Sequence, residues 1–195
     1  MIAILVGLKG SGKTTLAKKI VEKRPDIKYI VAGDYFAEYY KKKGLNRDQG
    51  DLGVKSSEHF RIQKEVFKRI NEDCKKHKNV IVDTHAFLTK KEGYYPGLPL
   101  FALDIVKPDT ILVVDYLAED ILERRLKDKE QLGRERSGEL TIEGIEHEQR
   151  IQEEFTIAAS GSFGCTVKLI KRYEKQKYPF EHTELNAEEI VKLFE

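Results

Sequence analysis

The chain has no tryptophan, one methionine, two cysteines and five prolines in 195 residues. Cys74 and Cys165 form no C-x-x-C pair, which argues against a disulfide framework or a zinc site and points to reduced thiols in a cytoplasmic protein. No apolar stretch approaches the roughly 18 residues of a membrane span, so no transmembrane helix is expected. An excess of charge of one sign is missing as well. Lys and Arg number 35 against 33 Asp and Glu, a formal net charge of +2, too small for the basic field of a nucleic-acid binder. Charge of both signs is what abounds: 35% of residues are charged, while hydrophobic content is an ordinary 40%. Together with the scarcity of Met, Cys and Trp, this composition points to a heat-adapted source. The length suits a single domain, 1–195, with a full core.

The chain is organised around Gly7-Leu8-Lys9-Gly10-Ser11-Gly12-Lys13-Thr14-Thr15, a G-x-x-x-x-G-K-[ST] phosphate-binding loop. Its context is right: the apolar run Ile2 to Val6 precedes it as a buried strand, and a helix from Thr15 to Lys23 follows. Glycines let the backbone curl its N–H groups toward phosphate oxygens, and the helix N-terminus adds its positive end. Lys13 is placed to reach the β- and γ-phosphates, and the Thr14 hydroxyl to ligate Mg²⁺.

Further strands are read at Tyr29–Ala32, Val80–Val82, Thr110–Val114 and Thr166–Ile170, separated by helical patterns. The alternation implies a parallel sheet covered on both faces, with ligands at the carboxyl ends of the strands. Gly33-Asp34, Asp83-Thr84-His85 and Asp115 fall at such ends. In the helix from Ser56 or Ser57 to about Lys78, Phe60, Phe67, Ile70 and Cys74 form the expected buried stripe. A later helix, Thr141 to about Ser160, is read with Ile145, Ile151, Phe155 and Ala158 inward. Asn46–Lys55 and Gly93–Pro99 read as loops, and Asp128–Leu140 as a mobile flap. In the tail, Asn186-x-x-Glu189 resembles a helix capping box.

Asp83 is a candidate Mg²⁺ carboxylate, and Asp115 competes for that role on the same strand-end logic. Arg124, Arg125, Lys127, Arg134, Arg136 and Arg150 crowd around the flap. Two facing nucleotides carry on the order of five or six negative charges, more than Lys13 and Mg²⁺ balance, and planar Arg forks suit phosphate oxygens. Arg134 and Arg136 are therefore expected on a closing lid, and Arg125 on a solvated helix face.

In these stretches the chain resembles an archaeal-type adenylate kinase, a P-loop nucleoside monophosphate kinase. The resemblance rests on Gly7–Thr15, Arg47-Asp48-Gln49, Arg61-Ile62-Gln63, Val82-Asp83-Thr84-His85, Gly93-Tyr94-Tyr95-Pro96-Gly97-Leu98-Pro99, Arg124-Arg125-Leu126, Arg134-Glu135-Arg136 and Gly164-Cys165-Thr166-Val167-Lys168. It implies a three-layer α/β P-loop NTPase sandwich: a five-stranded parallel sheet, helices on both faces and a small lid. Residues 34–78 become the monophosphate-binding excursion and 124–140 the lid. The implied reaction is Mg²⁺-dependent transfer from ATP to AMP. ATP lies on Gly7–Thr15, AMP on Gly33, Asp34, Arg47, Gln63, Thr84 and His85. Arg124, Arg134, Arg136 and Arg150 serve as lid phosphate contacts, Lys13, Asp83, Arg134 and Arg136 as catalytic groups, and Thr14 and Asp83 as metal ligands. A homotrimer is also implied, with no membrane or nucleic-acid partner. Two positions depart from the family pattern. Gly50-Asp51-Leu52 stands where the family continues to a second Arg, and Gln152-Glu153 stands where it has Asn-Arg, with Arg150 one turn earlier as the expected substitute. Rival readings are another nucleoside monophosphate kinase, a small-hydroxyl kinase using Asp34 as base, and an ATPase switch acting on a protein or RNA partner.

Overall fold

The structure is a computed structural model that describes residues 1–45, 47–132 and 139–195. Its elements run β1 (Ile2–Val6), α1 (Lys13–Lys23), β2 (Ile27–Val31), α2 (Ala32–Lys41), α3 (Arg47–Gly53), α4 (Ser56–Cys74), β3 (Asn79–Thr84), β4 (Phe87–Lys90), β5 (Gly93–Pro96), α5 (Leu100–Val106), β6 (Thr110–Tyr116), α6 (Ala118–Leu132), α7 (Ile142–Phe163), β7 (Thr166–Arg172) and α8 (Glu181–Val191), closed by a 3-10 turn, Lys192–Phe194. Among the described residues no helix is long and apolar enough to cross a membrane.

Five strands form one parallel sheet in the order β2-β3-β1-β6-β7, as the alternating pattern requires. The three inner strands are buried on both faces, so they read as apolar runs: Ala3 to Val6, Val80 to Val82 and Ile111 to Val114 are all fully buried. The edge strands β2 and β7 are only partly covered and carry Lys28, Lys168 and Lys171. Val6 pairs with Thr84 on one side and Val113 on the other, so the chain leaves the sheet at Gly7 beside Thr84 and His85. Helix α1 packs on α8, while α4, α5 and α7 pack in series with α6 against α7.

Several local expectations are corrected. Gly93–Pro99 is not a plain loop. Gly93–Pro96 forms strand β5, paired antiparallel with β4 from Lys90↔Gly93 to Phe87↔Pro96 around a two-residue turn. The Pro and Gly signals at 96–99 obscured its β-prone Phe87, Tyr94 and Tyr95. Helix α3 occupies what reads as a loop between Asn46 and Lys55. Its Gly50 lets it lie on the Tyr40 ring, where a Cβ would sit 2.4 Å from ring carbons. On α4 the buried stripe is His59, Ile62, Gln63, Val66, Phe67, Ile70 and Cys74, whereas Phe60 is exposed with its ring against Phe101. On α7, Ala158 is exposed, and buried Gln149, Gln152, Thr156 and Ser160 face inward below Ile145. Asn186 caps nothing: it is buried mid-helix in α8 and donates to the Tyr116 hydroxyl at 2.9 Å. Residues 124–132 of the expected lid continue helix α6.

Helices α2, α3 and α4, which lie between β2 and β3, enclose a buried polar knot. The Tyr40 hydroxyl donates to Asp51 Oδ1 at 3.3 Å and lies 3.1 Å from His59 Nδ1. The His59 ring meets Tyr95 edge-on and Phe36 face to face. Burial, and secondarily the Lys90 ammonium, lowers the His59 imidazole to about 4 from an ordinary 6.5. The unfolded chain therefore binds this proton at a pH where the folded chain refuses it, so stability rises with pH between about 4 and 6.5. We expect urea unfolding to lose up to about 3 kcal/mol on acidification across that window through this residue. In His59→Leu that component of the pH dependence should vanish; an unchanged slope would contradict the assignment.

Candidate active site

The phosphate loop closes on itself by backbone bonds: Ser11 N–H donates to Leu8 O at 3.1 Å, and Thr15 and Leu16 N–H both donate to Gly12 O. Gly10 and Gly12 sit at φ +88° and +80°, the left-handed region where a side chain is strained. Gly12 precedes α1 without a side-chain cap, so the first-turn amides are presented to the cleft ahead of them. That cleft is open, about 430 Å³ in volume. Its walls are the loop from Leu8 to Thr15 together with Asp83, Thr84, His85 and Arg124.

Lys13 folds back so that Nζ donates to Gly7 O at 2.7 Å and stands 3.9 Å from Asp83 Oδ1. Asp83 accepts from the Tyr29 hydroxyl at 3.0 Å, and burial beside this carboxylate pushes the Tyr29 phenol up. His85 Nδ1 lies 3.3 Å from Gly7 O. Thr14 is exposed at the cleft wall. Asp115 stands apart. It is fully buried, and accepts from Gln149 Nε2 at 2.6 Å, the Tyr173 hydroxyl at 2.7 Å and Tyr116 N–H at 3.1 Å. Burial raises its carboxyl, opposed by these bonds. Of the two strand-end carboxylates, Asp83 is the one beside Lys13.

A second, small cavity of about 30 Å³ adjoins the loop. It is lined by Gly7, Leu8 and Lys9, by His85 to Thr89, and by Asp51, Arg125, Glu148 and Gln152. Gln152 is buried, and its Nε2 has no hydrogen-bond partner among the described residues.

The expected acceptor residues are only partly gathered. Thr84 and His85 line the cleft. Gly33 and Asp34 belong to the first turn of α2, where Asp34 is exposed, and neither lines the cleft or the small cavity. Arg47 opens α3. Gln63 is buried, and its amide is occupied by the hairpin: Nε2 donates to Pro96 O and Gly97 O at 3.1 and 3.0 Å. Arg134 and Arg136 lie outside the described residues. Arg150 is exposed and lines neither cavity.

The neighbouring arginines of α6 have opposite fates. The Arg124 guanidinium lies 5.2 Å over the Tyr116 ring and faces Gly12 across the cleft. Arg125, expected on a solvated face, is instead buried and fully engaged. It pairs with Glu148 at 2.7 Å and donates to Lys9 O at 2.8 Å and Glu139 O at 2.7 Å. Glu148 also accepts from Glu139 N–H. One ion pair thus ties the phosphate loop to α7 and to the residue that follows 133–138. Its signal was legible: Ala118, Ile121 and Arg125 recur at three- and four-residue spacing on the inward stripe of α6.

The chain is similar to known proteins along most of its length. A family model described as an AAA domain matches residues 6–143. The adenylate kinase of Pyrobaculum aerophilum is 37% identical, over 99% of this chain and 96% of that protein. The adenylate kinase of Methanocaldococcus jannaschii is 35% identical, over 87% and 88%. Among solved structures, a shikimate kinase from Acinetobacter baumannii in complex with shikimate superposes with a TM-score of 0.56 at 14% identity, covering 99% of this chain and 92% of that one. At that identity it supports the fold alone.

Removing Arg125 leaves Glu148 buried and unpaired, which costs about 3–5 kcal/mol in comparable pairs. Arg125→Met should lose stability on that scale in chemical denaturation. The double variant Arg125→Met/Glu148→Leu should recover a large part of it. Equal losses in both would show that the ion pair is not the source.

Proposed function

The chain belongs to the adenylate kinase family, and from that premise we propose how its residues carry the reversible transfer of the ATP γ-phosphoryl group to AMP. The observation that carries the reading is that the large cleft and the small cavity share Leu8, Lys9 and His85. Donor and acceptor phosphates approaching from those two spaces meet at one loop, which in-line transfer requires.

ATP occupies the cleft with its phosphates on the loop N–H groups and the α1 N-terminus. Lys13 exchanges its internal contact with Gly7 O for phosphate oxygens. The Asp83 carboxylate, 3.9 Å from Nζ, keeps the ammonium beside the loop. The Thr14 hydroxyl and the Asp83 carboxylate line the cleft and are oxygen donors suited to a hard cation, so they would hold Mg²⁺ there. When bound, Mg²⁺ neutralises charge on the transferring phosphates. The AMP phosphate needs no general base, because it is already largely ionised with a second pKa of about 6. The acceptor side is formed by Thr84, His85 and the α3 segment opened by Arg47, with Gln152 supplying an unspent amide donor to the small cavity. Gln63 supports this side through the hairpin. Asp34, exposed and outside both cavities, gives no support to a hydroxyl kinase. Arg124 stabilises charge over the loop, and Arg134 and Arg136 do so from the lid, with Arg150 at its edge. A homotrimer working in the cytoplasm, with no nucleic-acid or membrane partner, completes the proposal.

The test is product formation from Mg·ATP with AMP, CMP, UMP, GMP or no acceptor, resolved by nucleotide separation. ADP should rise with AMP above every other acceptor. Lys13→Ala should abolish transfer, and Arg134→Ala or Arg136→Ala should lower kcat by a factor on the order of 10². ADP accumulating equally without acceptor would overturn the reading.

A further inference from the structure

The hairpin buries a lysine that the mechanism does not use. Lys90 ends β4 and is almost fully buried, an expensive position for an ammonium unless all its donors are met. Two of its three N–H donors are met by carbonyls: Nζ donates to Val54 O at 2.8 Å and to Asp51 O at 3.1 Å, and it stands 5.4 Å from the centre of the Tyr95 ring. Burial lowers its pKa, opposed by nearby Asp51 and Glu92.

Those two carbonyls belong to the last turn of α3 and the residue just past it. Carbonyls at a helix C-terminus lack intrahelical N–H partners and carry its partial negative charge, so a cation there caps the helix. Seven residues make a helix that is marginal by itself and depends on tertiary support. Support comes from two sides. On one, Gly50 lies against the Tyr40 ring of α2. On the other, Lys90 grips the C-terminal carbonyls. The hairpin bearing Lys90 is itself fixed by Gln63 of α4, which donates to Pro96 O and Gly97 O. Asp51 of α3 and Thr89 of β4 both line the small cavity beside the phosphate loop. The Lys90 bonds therefore set the distance between two of its walls.

We propose that Lys90 is a positioning residue for the acceptor nucleotide: it clasps helix α3 to the hairpin and so fixes the acceptor side of the site without touching either substrate. The kinetic part of this inference rests on the adenylate kinase reading, and the structural part does not.

Lys90→Met keeps the aliphatic stem and removes the donor. We expect the KM for AMP to rise at least tenfold, the KM for ATP to stay within twofold and kcat at saturation to stay within threefold. In the nucleotide-free protein, amide hydrogen exchange across residues 50–55 should quicken at least tenfold while that of α1 is unchanged. Gly50→Ala, which leaves Lys90 in place but drives α3 off Tyr40, should give the same split between the two KM values. It also decides the matter if Lys90→Met does not fold. Equal rises in both KM values, or unchanged exchange across 50–55, overturn the clasp. If the unaltered protein forms no ADP from AMP, the functional reading fails instead, and the exchange measurement still decides whether Lys90 holds α3.

Discussion

The pairing of β1 between β3 and β6 is the constraint on which the rest depends. In a parallel sheet every strand delivers its following loop to the same edge. The register Val6↔Thr84 and Val6↔Val113 makes the phosphate loop and the Asp83-Thr84-His85 stretch emerge together. Asp83 pairs with Leu5, one residue inside the sheet, so its carboxylate is held by the strand rather than by a loop. Lys13, the first residue of the helix that follows the loop, stands within 3.9 Å of it. A one-residue slip of β3 would send Asp83 to the opposite face and leave the loop without a carboxylate neighbour. The site is thus a consequence of sheet register before it is a matter of side-chain chemistry.

On that edge the protein divides its cations into two kinds. Arg125 and Lys90 are buried and spent: each has its donors taken by backbone carbonyls, with Glu148 in the one case and the Tyr95 ring in the other. They set the position of the phosphate loop and of α3. Lys13 and Arg124 remain at the cleft, Lys13 on Gly7 O and beside Asp83, Arg124 over the Tyr116 ring face. Burial separates the roles. A cation wrapped in carbonyls cannot be recruited without leaving them unsatisfied, whereas one resting on an aromatic face keeps its N–H donors.

How much of this was legible in the sequence depends on whether the signal is local. The loop was legible because strand, glycine turn and helix start occupy fourteen consecutive residues, and the three inner strands because they are unbroken apolar runs. Helix α3 and the hairpin were not legible. Their stability comes from Gly50 against Tyr40, Lys90 on α3 and Gln63 on Pro96 and Gly97, contacts between segments 10 to 39 residues apart. Composition there shows only Gly, Pro and charge, which read as loop. Arg125 fell between the cases. Its helical spacing marked it as inward, but its charge and its neighbour Arg124 suggested solvent.

Asp83 and Asp115, equivalent as strand-end carboxylates, differ in the fold because of what packs on each. Helix α7 lays a polar line against the sheet, and its Gln149 bonds both Asp115 Oδ1 and Tyr116 O, while Tyr173 at the end of β7 takes Oδ2. Asp115 thereby becomes a cross-brace among β6, α7 and the chain after β7, with no oxygen left toward the cleft. Tyr116, the next residue, gains an oriented ring, backed by Asn186 of α8, on which Arg124 rests. The second carboxylate therefore serves the site at one remove: it steadies the strand end whose aromatic ring carries an arginine to the phosphate loop. This also gives the C-terminal helix a physical connection to the cleft, running from α8 through Tyr116 to Arg124.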